Sequence, residues 1–134
     1  MPIIAYLNFN GNTEEVIHFY EEVFGTEAAQ IQYFKDMPGQ QVDDETANRV
    51  LHGRLEVYGT PLYFSDSMPH SPVSHGDGMT LAVVGDDAEL MKTQFDALAK
   101  SGKIIMPLQE TFWSKAYGMV EDRFGVQWQF SHEA

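Results

Sequence analysis

Cysteine is absent from this chain, so disulfides, thiolate nucleophiles and cysteine-ligated clusters are excluded and any metal site falls to histidine and carboxylates. Basic residues are scarce: 8 stand against 20 acidic ones, for a formal net charge of −12. A field of that sign repels phosphate backbones, so no nucleic-acid partner is expected. It also keeps a protein soluble, or draws in a cationic ligand or metal. No apolar run approaches the roughly 20 residues that a membrane span needs, so no membrane partner is expected. The opening MPIIAYLNF has no basic segment followed by a long apolar core, which leaves a cytoplasmic location as the expectation. Also missing are a Ser/His/Asp order, a phosphate loop, a paired-carboxylate motif and a glycine-rich methyl-donor loop after a strand.

What is present is a globule's composition, 43% hydrophobic and 13% aromatic over 134 residues, enough for one domain with a buried core. The most informative stretch is YLNFNGNTEEVIHFYEEVFG, residues 6–25. Ile3, Ile4, Tyr6, Leu7 and Phe9 favour a strand, and Asn10-Gly11-Asn12 turns the chain. Asn12 and Glu15 have the spacing of a capping box, and Glu14 and Glu15 suit the positive end of a helix. Val16, Ile17, Tyr20, Val23 and Phe24 then mark one buried helical face, and Gly25 suits a left-handed stop.

Strands are expected over 28–34, 49–58 and 62–64, with Gly59-Thr60-Pro61 as a tight connection. The polar stretch 35–48 reads as a mobile excursion, either disordered or placed over a site, and 65–78, rich in Ser, Pro, Gly and His, as a linker. The pattern then begins again. Residues 79–84 are strand-like, Asp86 and Glu89 repeat the cap spacing, and Leu90, Met91, Phe95 and Leu98 form a second helical stripe ended by Ser101-Gly102. Strands over 103–108, 117–121 and 126–130 complete the second half, with a turn at 122–125. Setting Gly85 on Gly11 keeps the order of caps and buried positions, so the chain is two βαβββ units in tandem: module 1 about 1–68, module 2 about 79–134.

The ordered set YLNFNGNTEEVIHFYEEVFG, LHGRLEVYGTPLYFSDS and FWSKAYGMVEDRFGVQWQF resembles the PhnB-like branch of the vicinal oxygen chelate superfamily, whose members include glyoxalases, bleomycin-resistance proteins and extradiol dioxygenases. The resemblance spans nearly the whole chain apart from 35–48. It implies an α+β fold of two βαβββ modules, eight strands curled around a central cleft, and a homodimer holding a small molecule. It also implies a divalent metal bound by four strands. The four positions carry Ala5 or Tyr6, Phe64 with Asp66 two residues on, Met79 or Thr80, and Trp128 or Gln129. A transition metal wants three or four histidines or carboxylates, so no metal and no other cofactor is expected; a divalent-metal enzyme working through His52, Asp66 and Gln129 is the alternative.

Strand alternation puts His52 with Val50, Arg54 and Glu56, opposite Leu51, Leu55 and Val57. His52 is thus either a histidine bonded across the sheet or a cleft base. Asp66 either caps backbone at a strand end or enters the cleft as an acceptor. His52 and Asp66 are the candidate catalytic residues, and Tyr6, Trp113, Tyr117 and Gln129 the candidate ligand contacts. Trp113 is singled out because QETFWSKAYG is polar around it, where an aromatic plate can stack on a ligand. His70 and His75 read as loop residues, and His18 and His132 as surface residues.

Overall fold

Burial of one apolar face fixes the first helix, α1 (Thr13–Phe24), in which Val16, Ile17, Tyr20 and Phe24 are buried and Gly25 caps the end at φ 62°. Removing such side chains from water is worth on the order of 2 kcal/mol each. The computed structural model describes residues 1–39 and 42–133. Residues 40 and 41, inside the expected 35–48 excursion, lie outside the described ones. The rest of that stretch holds a 3₁₀ turn, Phe34–Asp36, and a short helix α2 (Asp44–Ala47) capped by Asp43, whose side chain accepts from the Thr46 N–H.

The chain divides into two compact units, Met1–Ser74 and His75–Ala134. In the first, strands β1 (Tyr6–Phe9), β2 (Gln30–Tyr33), β3 (Val50–Val57) and β4 (Thr60–Asp66) form a sheet of order β1-β4-β3-β2, with β1 and β4 parallel and the other pairs antiparallel. In the second, β5 (Leu81–Gly85), β6 (Lys103–Gln109), β7 (Tyr117–Glu121) and β8 (Gln127–His132) repeat the arrangement as β5-β8-β7-β6, with helix α3 (Ala88–Ala99) after β5. Each unit is βαβββ, and the α+β fold of paired modules is the one the repeat predicts. The β3–β4 connection is tighter than expected. It turns on Tyr58 and Gly59, both at positive φ (53° and 79°), and Thr60 and Pro61 already belong to β4.

Several local expectations are corrected. The capping box at Asn12 does not form: the Asn12 side chain makes no cap bond. Instead the Asp66 carboxylate arrives from β4 and accepts from the Gly11 and Thr13 N–H groups. The second helix is capped by Asp87, not Asp86, through the Leu90 N–H. Leu90 stays 43% exposed, and Gln94 takes the buried place in the stripe beside Met91, Phe95 and Leu98. The stretch 65–78 is not all linker. Ser65 and Asp66 end β4, and Asn10 grips Val73 by donating to its carbonyl and accepting from its N–H, each at 2.8 Å. His132 is no surface residue: β8 runs two positions past Phe130, which buries His132 and sets its Nε2 3.0 Å from the Asp86 carbonyl oxygen.

Candidate functional site

Alternation along β3 sends Gly53 and Leu55 toward α1, so closely at Gly53 that an added Cβ would meet Ile17 Cδ1 at 2.7 Å. The face of the first sheet opposite α1 therefore carries His52 and Arg54. Cross-strand register adds Gln32 beside His52 and Gln30 beside Arg54. The antiparallel β4 sets Tyr63 opposite Arg54, and the parallel β1 sets Tyr6 beside Tyr63 and Asn8 beside Ser65. Val50, expected on this face, is fully buried. A bulge leaves Leu51 unpaired between the Gln32–His52 and Tyr33–Val50 pairs, which breaks the alternation at the strand's start.

Three rings meet on this face. The Tyr6 hydroxyl lies 3.0 Å from His52 Nδ1, a hydrogen bond whose donor depends on the imidazole tautomer. Tyr63 packs edge-on against His52, with centroids 4.8 Å apart, and against Tyr6 at 5.9 Å. Tyr6 is 46% exposed, and His52 and Tyr63 are partly exposed. When Nδ1 accepts from Tyr6, Nε2 carries the proton, and Nε2 makes no hydrogen bond to another described residue. Arg54 reaches the same cluster, donating to the Tyr63 hydroxyl at 3.3 Å with its guanidinium 5.9 Å from the ring centre. Ser65 donates to Asn8 Oδ1 at 2.8 Å one step along. The face is an aromatic floor with one imidazole nitrogen and one partly exposed guanidinium, able to stack on a ring and hydrogen-bond its substituents.

Asp66 leaves the candidate site. Its carboxylate is buried, Oδ1 accepts from Gly11 N, Thr13 N and Thr13 Oγ1, and Oδ2 accepts from Val50 N. The carboxylate is buried and engaged by four donors inside the fold, so it is not offered to a ligand. The capping alternative is the one the geometry supports.

In the second unit, Tyr117 and Gln129 meet: the Tyr117 hydroxyl donates to Gln129 Oε1 at 2.8 Å, and Gln129 Nε2 donates to Thr80 Oγ1 at 2.7 Å. Trp113 is 55% exposed, 5.5 Å from the Tyr117 ring, and lines an open groove of about 490 Å³ with Phe112, Glu110, Lys115 and Glu133. Trp128, in contrast, is buried and donates its indole N–H to Asp122. His52 and Trp113 thus belong to different units, each with its own local cluster.

The superfamily's metal positions do not fit a metal here. Phe64 is fully buried, Gln129 Oε1 is taken by Tyr117, and Asp66 is consumed by backbone. Among the described residues no three histidines or carboxylates converge as ligands. What the sequence reading missed is Tyr63 as a member of the ring cluster. The one available signal was its aromatic type in the middle of a strand, because its proximity to Tyr6 and His52 depends on strand pairing.

A family model described as 3-demethylubiquinone-9 3-methyltransferase matches residues 1–131. Protein YjdN of Escherichia coli K12 is 34% identical over 141 residues, covering 98% of this chain and 95% of that protein. Among solved structures, protein PA1353 from Pseudomonas aeruginosa is 34% identical with a TM-score of 0.88, covering 99% of this chain and 98% of its own. A PhnB protein from Bacillus cereus is 28% identical with a TM-score of 0.78, covering 99% and 100%.

Proposed function

The chain belongs to the family described as 3-demethylubiquinone-9 3-methyltransferase, the PhnB-like branch of the vicinal oxygen chelate superfamily, and from that premise we propose that it binds a small organic molecule without a metal ion. The observation that carries this reading is the Tyr6–His52–Tyr63 cluster: a half-exposed aromatic floor with an outward imidazole nitrogen, on the sheet face opposite α1. Recognition then comes from stacking and one or two directed hydrogen bonds, the usual economy of a small-molecule site. No methyl transfer is assigned, because the sequence carries no glycine-rich methyl-donor loop after a strand. The donor chemistry at the superfamily's metal positions speaks against the metal-dependent alternative.

A screen of small aromatic compounds against the full chain tests the proposal. Compounds that raise the melting temperature should shift the amide signals of β1, β3 and β4 and lose their effect in His52→Ala and Tyr6→Phe. Binders that leave those strands unshifted would refute the assignment. We also propose that the chain works as a homodimer. Its second unit exposes Phe112 (98%) and Trp113, whose ring centres lie 4.7 Å apart, an apolar patch that a second copy can cover. Light scattering at micromolar concentration should give a mass near twice 15.2 kDa, and a monomer there removes that part of the reading.

A further inference from the structure

Arg54 is a cation out of place. The chain carries 20 acidic residues and 8 basic ones, yet Arg54 forms no ion pair with any described residue. It stands mid-strand on β3, partly buried, with a single hydrogen bond, to the Tyr63 hydroxyl. Arg49 offers the contrast. Its guanidinium donates to the Ser67 carbonyl at 2.7 Å and lies against Gly11, so it closes a loop. Arg54 closes nothing. A half-buried guanidinium keeps several N–H donors in a planar fork, whose natural complement is a planar oxyanion.

We infer that Arg54 is the anion-recognising end of the Tyr6–His52–Tyr63 face and selects ligands that carry a carboxylate. The inference rests on the proposed binding reading and names the ligand's charged group. Arg54 also lines an open groove of about 460 Å³, together with Glu27, Ala28, Gln30, Glu56 and Gly59. Glu27 and Glu56 in that lining decide which anion fits. Their charges oppose a dianion such as a phosphonate more strongly than a monoanion, and the rigid fork matches two carboxylate oxygens. Tyr63 ties the two ends together, since it touches Arg54 with its hydroxyl and His52 with its ring. The ligand this chemistry describes is a small monocarboxylate with a flat, unsaturated body: the carboxylate on Arg54, the body over Tyr63, and a polar group within reach of His52.

The test uses three fragments of one shape on the full-length, isotope-labelled chain: benzoate, neutral benzamide and doubly charged phenylphosphonate, titrated into wild type, Arg54→Gln and Arg54→Lys. Binding is read from NMR shifts of the Arg54 side-chain N–H and the amides of β1, β3 and β4. The expected result is that benzoate binds wild type in the millimolar range suited to a fragment and more tightly than the other two. Arg54→Gln should weaken benzoate about tenfold, the loss of one charge-assisted pairing, while leaving benzamide unchanged. Arg54→Lys, which keeps the charge and loses the fork, should fall between, and it also controls for folding. Benzoate binding equally to wild type and Arg54→Gln, or failing to shift the Arg54 side chain, overturns the inference. If benzamide still shifts Tyr6, His52 and Tyr63, the binding face survives that failure; if neither fragment moves these residues, both readings fall.

Discussion

Asp66 Oδ1 and Thr13 Oγ1 lie 2.6 Å apart although 53 positions separate them in the sequence. The same carboxylate holds the Gly11 and Thr13 N–H groups at the start of α1 and the Val50 N–H at the start of β3. One side chain on β4 thus ties three elements of the first unit. It serves the helix as an N-cap does, but from outside the helix's own sequence.

Replacing that carboxylate should be among the most destabilising single changes in the first unit. All four partners are donors, so Asp66→Asn must point its NH₂ group at one of them, and Asp66→Ala leaves every one unsatisfied in a buried place. A loss of about 3 kcal/mol or more is expected for Asp66→Ala, with Asp66→Asn somewhat milder. Urea denaturation measures it, and a midpoint unmoved by either change would show that the four bonds do not hold the unit.

Two glycines should respond differently to alanine. A Cβ at Gly53 comes closest to the Ile17 Cδ1 methyl, at 2.7 Å, with Phe64 Cβ next at 3.4 Å, whereas one at Gly118 lies 2.8 Å from Leu108 Cα and 2.9 Å from its nitrogen. A side-chain tip can rotate and a neighbouring strand's backbone cannot. Gly53→Ala should therefore cost about 1–2 kcal/mol and Gly118→Ala about 3 kcal/mol or more. Adding Ile17→Val should recover part of the Gly53→Ala loss in a double-mutant cycle; purely additive costs would mean that Ile17 is not what the new methyl strikes.

His18 should titrate above its ordinary value of 6.5. Its hydrogen bond to Glu21 holds the proton, and Glu14 adds to the effect, while partial burial works the other way. Since the folded pKa is the raised one, the stabilisation is complete below the unfolded value and disappears as pH rises through the folded one. The side chain is 57% exposed, so the effect on stability is small. An NMR titration should show the His18 pKa falling toward 6.5 in Glu21→Gln. No change in that variant would mean the contact is not formed in solution.

Protein purified without metal supplementation should carry no stoichiometric zinc, nickel, manganese or iron. Elemental analysis decides this. One equivalent per chain that survives dialysis and is lost in His52→Ala would reinstate the metal-dependent reading.

The two long helices were legible in the sequence because their signals are local, whereas the short α2 inside the polar 35–48 stretch was not. The stripe of Val16, Ile17, Tyr20 and Phe24 and the stop at Gly25 lie within a few turns of one another. The strand 117–121 was found to the residue. Where the reading went astray, the cause lay far along the chain. Asn12 has the right type for a cap but was displaced by a carboxylate from β4, and Leu90 fits a helical stripe but lost the buried place to Gln94. His52 was visible as a candidate through its place in the strand's alternation and the family resemblance. Its neighbours were not, because Tyr63 reaches it through an antiparallel register and Tyr6 through a parallel one.

The parallel pairing of β1 with β4 also governs when this protein can fold during its synthesis. The Tyr6–Phe9 strand emerges from the ribosome well before its partner, which ends at Asp66, and the cap on α1 comes from that same residue. Until β4 has cleared the exit tunnel, β1 has no ladder and the helix start is uncapped. Each unit is thus completed by its last strand, β4 in the first and β8 in the second. A truncated nascent chain that stops short of β4 leaves apolar β1 and α1 surfaces waiting, open to chaperones or to neighbouring chains.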